Sequence, residues 1–130
     1  MDSEIKWQWV NALRSGKYKQ GRHSLKKTTI LRRGLSIFGR KVARKEEHSY
    51  CCLGVLCEIL NVEGKPSNPQ NLDSYYWWYG DGEGNESAAF PTSEVQKYAG
   101  LEYSDMNRLS KLNDRGHSFS YIADFIEENL

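Results

Sequence analysis

One segment, residues 50–60, constrains the fold of this chain more than any other, because it is apolar on almost every side. A helix with so little polar surface is normally buried at the centre of a domain, so we predict that this segment forms a core helix. Ser49 is the expected cap at its start and Asn61 at its end. Gly54 lowers helix stability by about 1 kcal/mol relative to alanine, which predicts that another backbone packs closely against that turn.

Four other segments have the apolar periodicity of helices. The first places Ile5, Trp9 and Leu13 on one face, with Ser3 as its N-cap and Gly16 at its end. Capping residues and glycines delimit three more helices, which run from Pro91 and Thr92 to Gly100, from Ser104 to Gly116, and from Ser118 onwards.

Two regions have the residue pattern of strands. Residues 28–31 and 35–38 are short, partly β-branched runs separated at Arg33 and Gly34, and they predict a basic β-hairpin. Residues 75–79 are consecutive aromatics that end in a glycine-rich polar loop. In a strand, Tyr76 and Trp78 point to one side and the other three to the opposite side, so one set fills the core and the other is available to a ligand.

These elements together predict an α+β fold, in which a small antiparallel sheet packs with about five helices, one of them central and buried. The chain of 130 residues is expected to form a single domain over 1–130. No apolar run approaches the ~18 residues that a membrane span needs, and the N-terminus lacks the pattern of a secretory signal. The three cysteines, two of them adjacent, favour a reducing cytosol, so we expect a cytoplasmic protein.

Charge is distributed very unevenly along the chain. Residues 1–50 contain 13 Lys and Arg against 4 Asp and Glu, whereas residues 51–130 contain 5 against 13, and the net charge is +1. Such an asymmetry favours a phosphate-bearing partner or an acidic protein surface. The alternative is that the basic half docks on the acidic half of the same chain.

Three motifs follow one another in a recognisable order: WVNALRSGKY at residues 9–18, YCCLGVLC at 50–57, and LNDRG at 112–116 followed by IADFIE at 122–127. With them the chain resembles a family of small accessory proteins encoded by tailed bacteriophages. The resemblance covers about half of the chain and carries no catalytic residues. It implies an origin in a phage genome and a site of action in the bacterial cytoplasm, where such proteins counter host defence or bind host nucleic acid, nucleotides or proteins.

Several residue types suggest an enzyme, although weakly. Cys51 or Cys52, near the start of the predicted helix, would have a thiol pKa lowered by the helix dipole, and His23 or His117 would then serve as the base of a cysteine hydrolase or transferase. The alternative is that thiols inside an apolar helix are small core residues. Asp114, which lies three residues before His117, would orient that imidazole, or else both belong to a turn between helices.

The candidate metal sites are also weak. A zinc site of His48, Cys51 or Cys52, and Cys57 lacks the Cys-x-x-Cys spacing of structural zinc sites. Asp81, Glu83 and Glu86 miss the ligand positions of a calcium-binding EF-hand loop. We therefore predict neither a metal nor a cofactor.

The strongest functional signal is the combination of basic residues with aromatics. Lysine and arginine bind phosphates, and aromatic rings stack on bases, each stacked base contributing about 1–3 kcal/mol. We therefore predict a non-enzymatic binder of a nucleotide or another phosphate-bearing small molecule, held in a pocket or at the interface of a homo-oligomer. The predicted ligand-binding residues are Lys17, Tyr18, Lys19, Arg22, Arg32, Arg33, Arg40, Tyr76 and Trp78. The alternatives are a nucleic-acid-binding protein and an inhibitor that docks its basic surface on an acidic host enzyme.

Overall fold

The computed structural model of the protein describes residues 1–32, 44–67, 73–80 and 86–130. Within them the chain forms five helices and a sheet of four antiparallel strands, which confirms the α+β prediction. The elements are α1 (Ser3–Arg14), β1 (Lys26–Arg32), β2 (Arg44–Tyr50), α2 (Cys52–Ile59), β3 (Lys65–Pro66), β4 (Ser74–Trp78), α3 (Ser93–Ala99), α4 (Tyr103–Asp114) and α5 (Phe119–Asn129). No helix of these described parts is long and apolar enough to cross a membrane.

The helix α2 is the centre of the core, as predicted. Residues 52–57 are all buried, and the indole N–H of Trp9 in α1 donates to the Cys52 carbonyl at 2.9 Å. A Cβ added to Gly54 would lie 1.7 Å from the Leu25 carbonyl oxygen, which confirms the predicted close approach of another backbone. The predicted N-cap, Ser49, was wrong, because the chain remains in a strand to Tyr50 and Cys51 occupies the N-cap position, without a side-chain capping hydrogen bond.

The sheet has the strand order β2-β1-β4-β3, with every neighbouring pair antiparallel. β1 pairs along its whole length with β2, from Lys26 opposite Tyr50 to Arg32 opposite Arg44. The first run of the predicted hairpin, 28–31, lies within β1, whose antiparallel partner is 44–50. Residues 33–38 lie outside the described part of the chain.

Helix termini follow the capping rules, although two caps differ from those predicted. Thr92 and Ser118 cap α3 and α5 as predicted, each accepting a backbone N–H through its hydroxyl. α1 is capped by Asp2 instead of Ser3, and α4 by Glu102 instead of Ser104. In both cases a carboxylate upstream of the predicted serine accepts a backbone N–H of the first turn, from Ile5 in α1 and from Asp105 in α4, and also complements the positive end of the helix dipole.

Asn113 of α4 joins the N-terminal segment to the helical core. Its side chain is fully buried, and its Oδ1 accepts from the Gln20 side-chain amide at 3.0 Å and from the Cys52 backbone N–H at 3.2 Å. Its Nδ2 donates to the Gly21 carbonyl at 2.8 Å. These bonds fix the chain at residues 20–21 beside β2, where the Gly21 N–H in turn donates to the Tyr50 carbonyl at 2.7 Å.

Candidate functional site

β4 has a buried side and an exposed side. Tyr75 and Tyr79 are only 6% and 2% exposed, whereas Tyr76 and Trp78 are 48% and 42% exposed. The two-residue alternation predicted for this strand is therefore confirmed. We call the exposed side the open face of the sheet. By strand alternation it carries Lys27, Thr29, Leu31, Lys45, Glu47, Ser49, Lys65, Ser74, Tyr76 and Trp78.

On the open face, each exposed aromatic of β4 stands opposite a lysine of a neighbouring strand. Lys27 of β1 is the register partner of Tyr76, and its Nζ lies 5.9 Å from the centre of the tyrosine ring. Lys65 of β3 is the register partner of Trp78. Side chains directly opposite in antiparallel strands have Cβ atoms about 4.5–5.5 Å apart, so each ring has a lysine side chain as its cross-strand neighbour.

The other side of the sheet holds β4 in this orientation. The buried hydroxyl of Thr28 accepts a hydrogen bond from the indole N–H of Trp77 at 2.8 Å and lies 2.7 Å from Nδ1 of His48. The Nζ of Lys26 lies 4.2 Å from the centre of the Trp77 ring. Because Trp77 is held by Thr28 and Lys26 on this covered side, Tyr76 and Trp78 face outward.

The predicted residues Lys17, Tyr18 and Lys19 lie together at the outer edge of β2. The ammonium of Lys19 pairs with the Glu47 carboxylate, and this hydrogen bond lowers the pKa of Glu47. The Tyr18 ring packs edge-on against Tyr50, with the ring centres 5.5 Å apart. All of these residues line a groove of about 410 Å³ together with Glu46, His48 and Glu58. Three carboxylates against two lysines make this groove less favourable for phosphate than the open face.

The remaining predicted residues lie elsewhere. Arg22 reaches the turn between α4 and α5, where its Nη2 would lie 2.9 Å from a Cβ added to Gly116. Arg32 ends β1 opposite Arg44. Arg33 and Arg40 lie outside the described residues. The structure thus brings Tyr76 and Trp78 together on the open face and places the triad 17–19 and Arg22 at separate positions.

Two lysines of the open face, Lys27 and Lys65, were missed as site residues. Lys27 belongs to a basic run that is visible in the sequence. The two-residue alternation of the strand was the only signal that Lys27 lies on the same face as an aromatic residue. Lys65 belongs to a two-residue strand, which is too short for any periodicity to reveal.

The cysteines are core residues. Burial is the main cause that raises the pKa of Cys51 to about 11, the pKa of Cys57 to about 12, and the pKa of Cys52 well above its ordinary value. The expectation that the helix dipole lowers a thiol pKa is therefore wrong, because desolvation outweighs the dipole.

The histidines are engaged in other contacts. Asp114 accepts from the His23 backbone N–H at 2.9 Å and lies 3.3 Å from the His23 ring, whereas His117 stacks on Tyr121 with ring centres 4.3 Å apart. The suggested orientation of His117 by Asp114 is therefore wrong. In the described part of the chain no group of three His, Cys, Asp or Glu could hold a metal ion, and Asp81 and Glu83 lie outside that part.

The basic half of the chain is neutralised only in part by the acidic half. Arg14 of α1 pairs with Asp124 and Glu127 of α5 at 2.6 and 2.5 Å, and the hydrogen bond to Asp124 is the main cause of its raised pKa. Among the described residues, Lys27 and Lys65 form no ion pair within 4.0 Å. These two lysines, which lie beside the exposed aromatics of the open face, are therefore not neutralised by another described residue.

Comparison with known proteins gives the family of the chain. It belongs to the family described as a domain of unknown function (DUF8296), whose model matches residues 1–31 and 26–130. No curated protein matches it, and no solved structure matches it either.

Proposed function

We propose that the protein binds a nucleotide-bearing ligand, without catalysing a reaction, on the open face of its sheet. The observation that carries this proposal is the pairing of each exposed aromatic of β4 with a lysine directly across the sheet. A base stacks on Tyr76 or Trp78, and the phosphates attached to it lie against the ammonium groups of Lys27 or Lys65.

The rigidity of β4 favours such binding. The strand is anchored by Tyr75, Trp77 and Tyr79 on its covered side, so the exposed rings lose little conformational freedom when a ligand binds. Aromatic rings also provide a large contact area with only two rotatable side-chain bonds. A rigid ring with a nearby cation therefore matches the two parts of a nucleotide, because the ring stacks on the flat base and the cation binds the charged phosphate.

The resemblance to phage proteins suggests a biological role for this binding. In this role the protein acts in the cytoplasm of an infected bacterium, where it sequesters a host signalling nucleotide and so counters host defence. Sequestration needs only affinity, which is consistent with the buried, protonated thiols of α2 and with histidines already engaged in other contacts.

Single-stranded nucleic acid is a second candidate, and one observation favours it. Tyr76 and Trp78 are two residues apart on one strand, so their side chains lie about 7 Å apart in line along the open face. Proteins that bind single strands stack successive bases on such aromatic platforms and neutralise the backbone with nearby lysines. The ligand is then an extended strand instead of one compact molecule.

The test compares the wild-type protein with Trp78→Ala in calorimetric titrations. The titrants are a panel of ribonucleoside mono- and triphosphates and cyclic dinucleotides, and a 12-nucleotide single strand. Loss of one stacking ring is expected to weaken binding by about 1–3 kcal/mol, or roughly 5- to 150-fold. Tyr98→Ala is the matched control, because Tyr98 is also an exposed aromatic but lies on α3, away from the sheet.

The outcomes separate the two candidates. If the protein binds one nucleotide of the panel but does not bind a single strand that lacks this nucleotide, the ligand is a small molecule. If affinity increases with strand length and depends strongly on salt concentration, the ligand is a nucleic acid. No binding of any titrant, or equal losses in Trp78→Ala and Tyr98→Ala, would contradict both.

A further inference from the structure

A second concave surface lies among the helices, away from the sheet. Two adjoining depressions of about 530 and 210 Å³ share Gln8, Leu60 and Tyr98 as lining residues. Together they form what we call the helical groove, lined by α1, by α3 and by the chain that leaves the end of α2. Its lining is mixed, with the polar side chains of Gln8 and Asn61 among apolar ones from Ile5, Ile59, Leu60, Val62, Val95 and Tyr98.

The rim of the helical groove carries one sign of charge. Asp2 and Glu4 stand at the start of α1, and Glu94 stands in the first turn of α3. Among the described residues that line the groove, none is Lys, Arg or His. Apolar side chains beside a rim of carboxylates are complementary to a ligand that carries an apolar side chain flanked by cations.

Tyr98 is the most exposed large apolar side chain in the part of the chain that the structure describes. It is 71% exposed, although its neighbours on α3, Val95 and Ala99, are buried. A tyrosine that projects beside apolar side chains is typical of the residues that dominate binding energy at protein interfaces. The packing of α3 therefore does not explain why an aromatic ring stands at this position, whereas a docked partner protein would cover the ring.

We propose that the helical groove binds a cationic amphipathic segment of a partner protein. One apolar side chain of that segment lies on Leu60 and Val62 against the ring of Tyr98. Lysines or arginines on either side of it pair with Glu4 and Glu94. The groove is about the size of ordinary ligand sites, ~300–1,000 Å³, which suits one large apolar side chain and its neighbours rather than an extended flat interface. This surface shares no residue with the open face, so the inference is independent of the proposed nucleotide binding.

The experiment uses a defined probe, a 12-residue peptide of alternating leucine and lysine carrying a fluorophore. Its counterpart has every lysine replaced by glutamate. Fluorescence anisotropy of the full chain is expected to show binding of the lysine peptide only. Amide chemical shifts in the protein are expected to change at Leu60, Val62, Val95 and Tyr98.

Two variants and two matched controls locate the interaction. Tyr98→Ala is expected to weaken peptide binding at least tenfold, and Glu4→Gln with Glu94→Gln about fivefold with reduced salt dependence. Trp78→Ala and Glu128→Gln, an exposed aromatic on the sheet and an exposed carboxylate on α5, are expected to leave the affinity unchanged.

Three results would overturn the proposal. The first is equal binding of the glutamate peptide, and the second is an affinity that Tyr98→Ala does not change. The third is self-association of the protein that Tyr98→Ala abolishes, since the groove is then an interface between copies of the chain. If the protein binds nucleotides but not the lysine peptide, the proposal for the helical groove is wrong and the proposed nucleotide binding is unaffected.

Discussion

The open face of the sheet and the helical groove are two surfaces of one small domain with opposite chemistry. The open face combines lysines with exposed aromatics and follows from strand alternation, whereas the groove combines carboxylates with apolar side chains and follows from the meeting of helix ends. The net charge of +1 hides this separation. The two surfaces do not repeat the uneven charge along the sequence, because Asp2 and Glu4 of the groove belong to the basic half of the chain and Lys65 of the open face belongs to the acidic half. Ion pairs such as Arg14 with Asp124 cancel part of that asymmetry.

The two surfaces depend on different structural variables. A one-residue slip of β4 against β1 would move Tyr76 and Trp78 to the covered side and remove the open face. The helical groove depends instead on how far α1 and α3 stand from the end of α2. A change in one surface should therefore leave the other intact, except where the change reaches the helix that supports both.

The largest expected effect comes from Gly54→Ala, which should disrupt both surfaces together. The added methyl group would overlap the Leu25 carbonyl, only 1.7 Å away, so α2 must move relative to the chain that leads into β1. We expect a loss of about 3 kcal/mol or more in the free energy of unfolding, at the upper end for overpacked cores and despite the better helix propensity of alanine. Urea denaturation followed by circular dichroism measures it.

Gly16→Ala is the control for Gly54→Ala. No atom lies within 4 Å of the added Cβ, and only the positive φ of 72° opposes the substitution. The free energy of unfolding should therefore fall by about 1–2 kcal/mol. A Gly54→Ala variant as stable as the wild type would show that α2 is not seated on Leu25 in the way described.

High pH should weaken the core beneath both surfaces. Burial raises the pKa of Cys51 to about 11 and the pKa of Tyr50 to about 12. The folded state thus keeps these protons at pH values where the unfolded chain loses them, and stability falls as the pH rises from about 9 through 11. The raised pKa of Cys51 alone should lower the free energy of unfolding by about 2 kcal/mol at pH 11, relative to neutral pH.

The measurement compares urea midpoints of the wild type and Cys51→Ala between pH 7 and pH 11. The variant is expected to be less stable at pH 7 but less sensitive to rising pH. Rapid reaction of the native protein with a thiol reagent at pH 8 would contradict the buried, protonated state of the three cysteines.

Local sequence signals predicted much of this fold. The uninterrupted apolar run marked α2, the caps Thr92 and Ser118 marked α3 and α5, and alternation in the aromatic run identified which rings face outward. Each of these signals depends on neighbours within a few positions, where periodicity and capping geometry are decisive.

Long-range features were not predictable in the same way. β2 has the sequence RKEEHSY, in which charged and polar residues conceal a strand that forms only through pairing with β1. Lys65 joins the open face only because a two-residue strand pairs with β4. The helical groove is assembled from three separate parts of the chain, so no local pattern in the sequence indicates it.

The smallest expected effect distinguishes charge from stacking on the open face. Lys27→Gln with Lys65→Gln should weaken nucleic-acid binding only a few-fold at moderate salt, since each lysine is one point charge among several. It should also reduce the slope of log affinity against log salt concentration by about 0.7 for each phosphate of a single strand that the variant no longer neutralises. Trp78→Ala should instead lower affinity while leaving the slope unchanged, because stacking releases no counterions. Lys97→Gln on α3 is the control, and an unaltered slope in the double lysine variant would mean that the phosphates do not contact the open face.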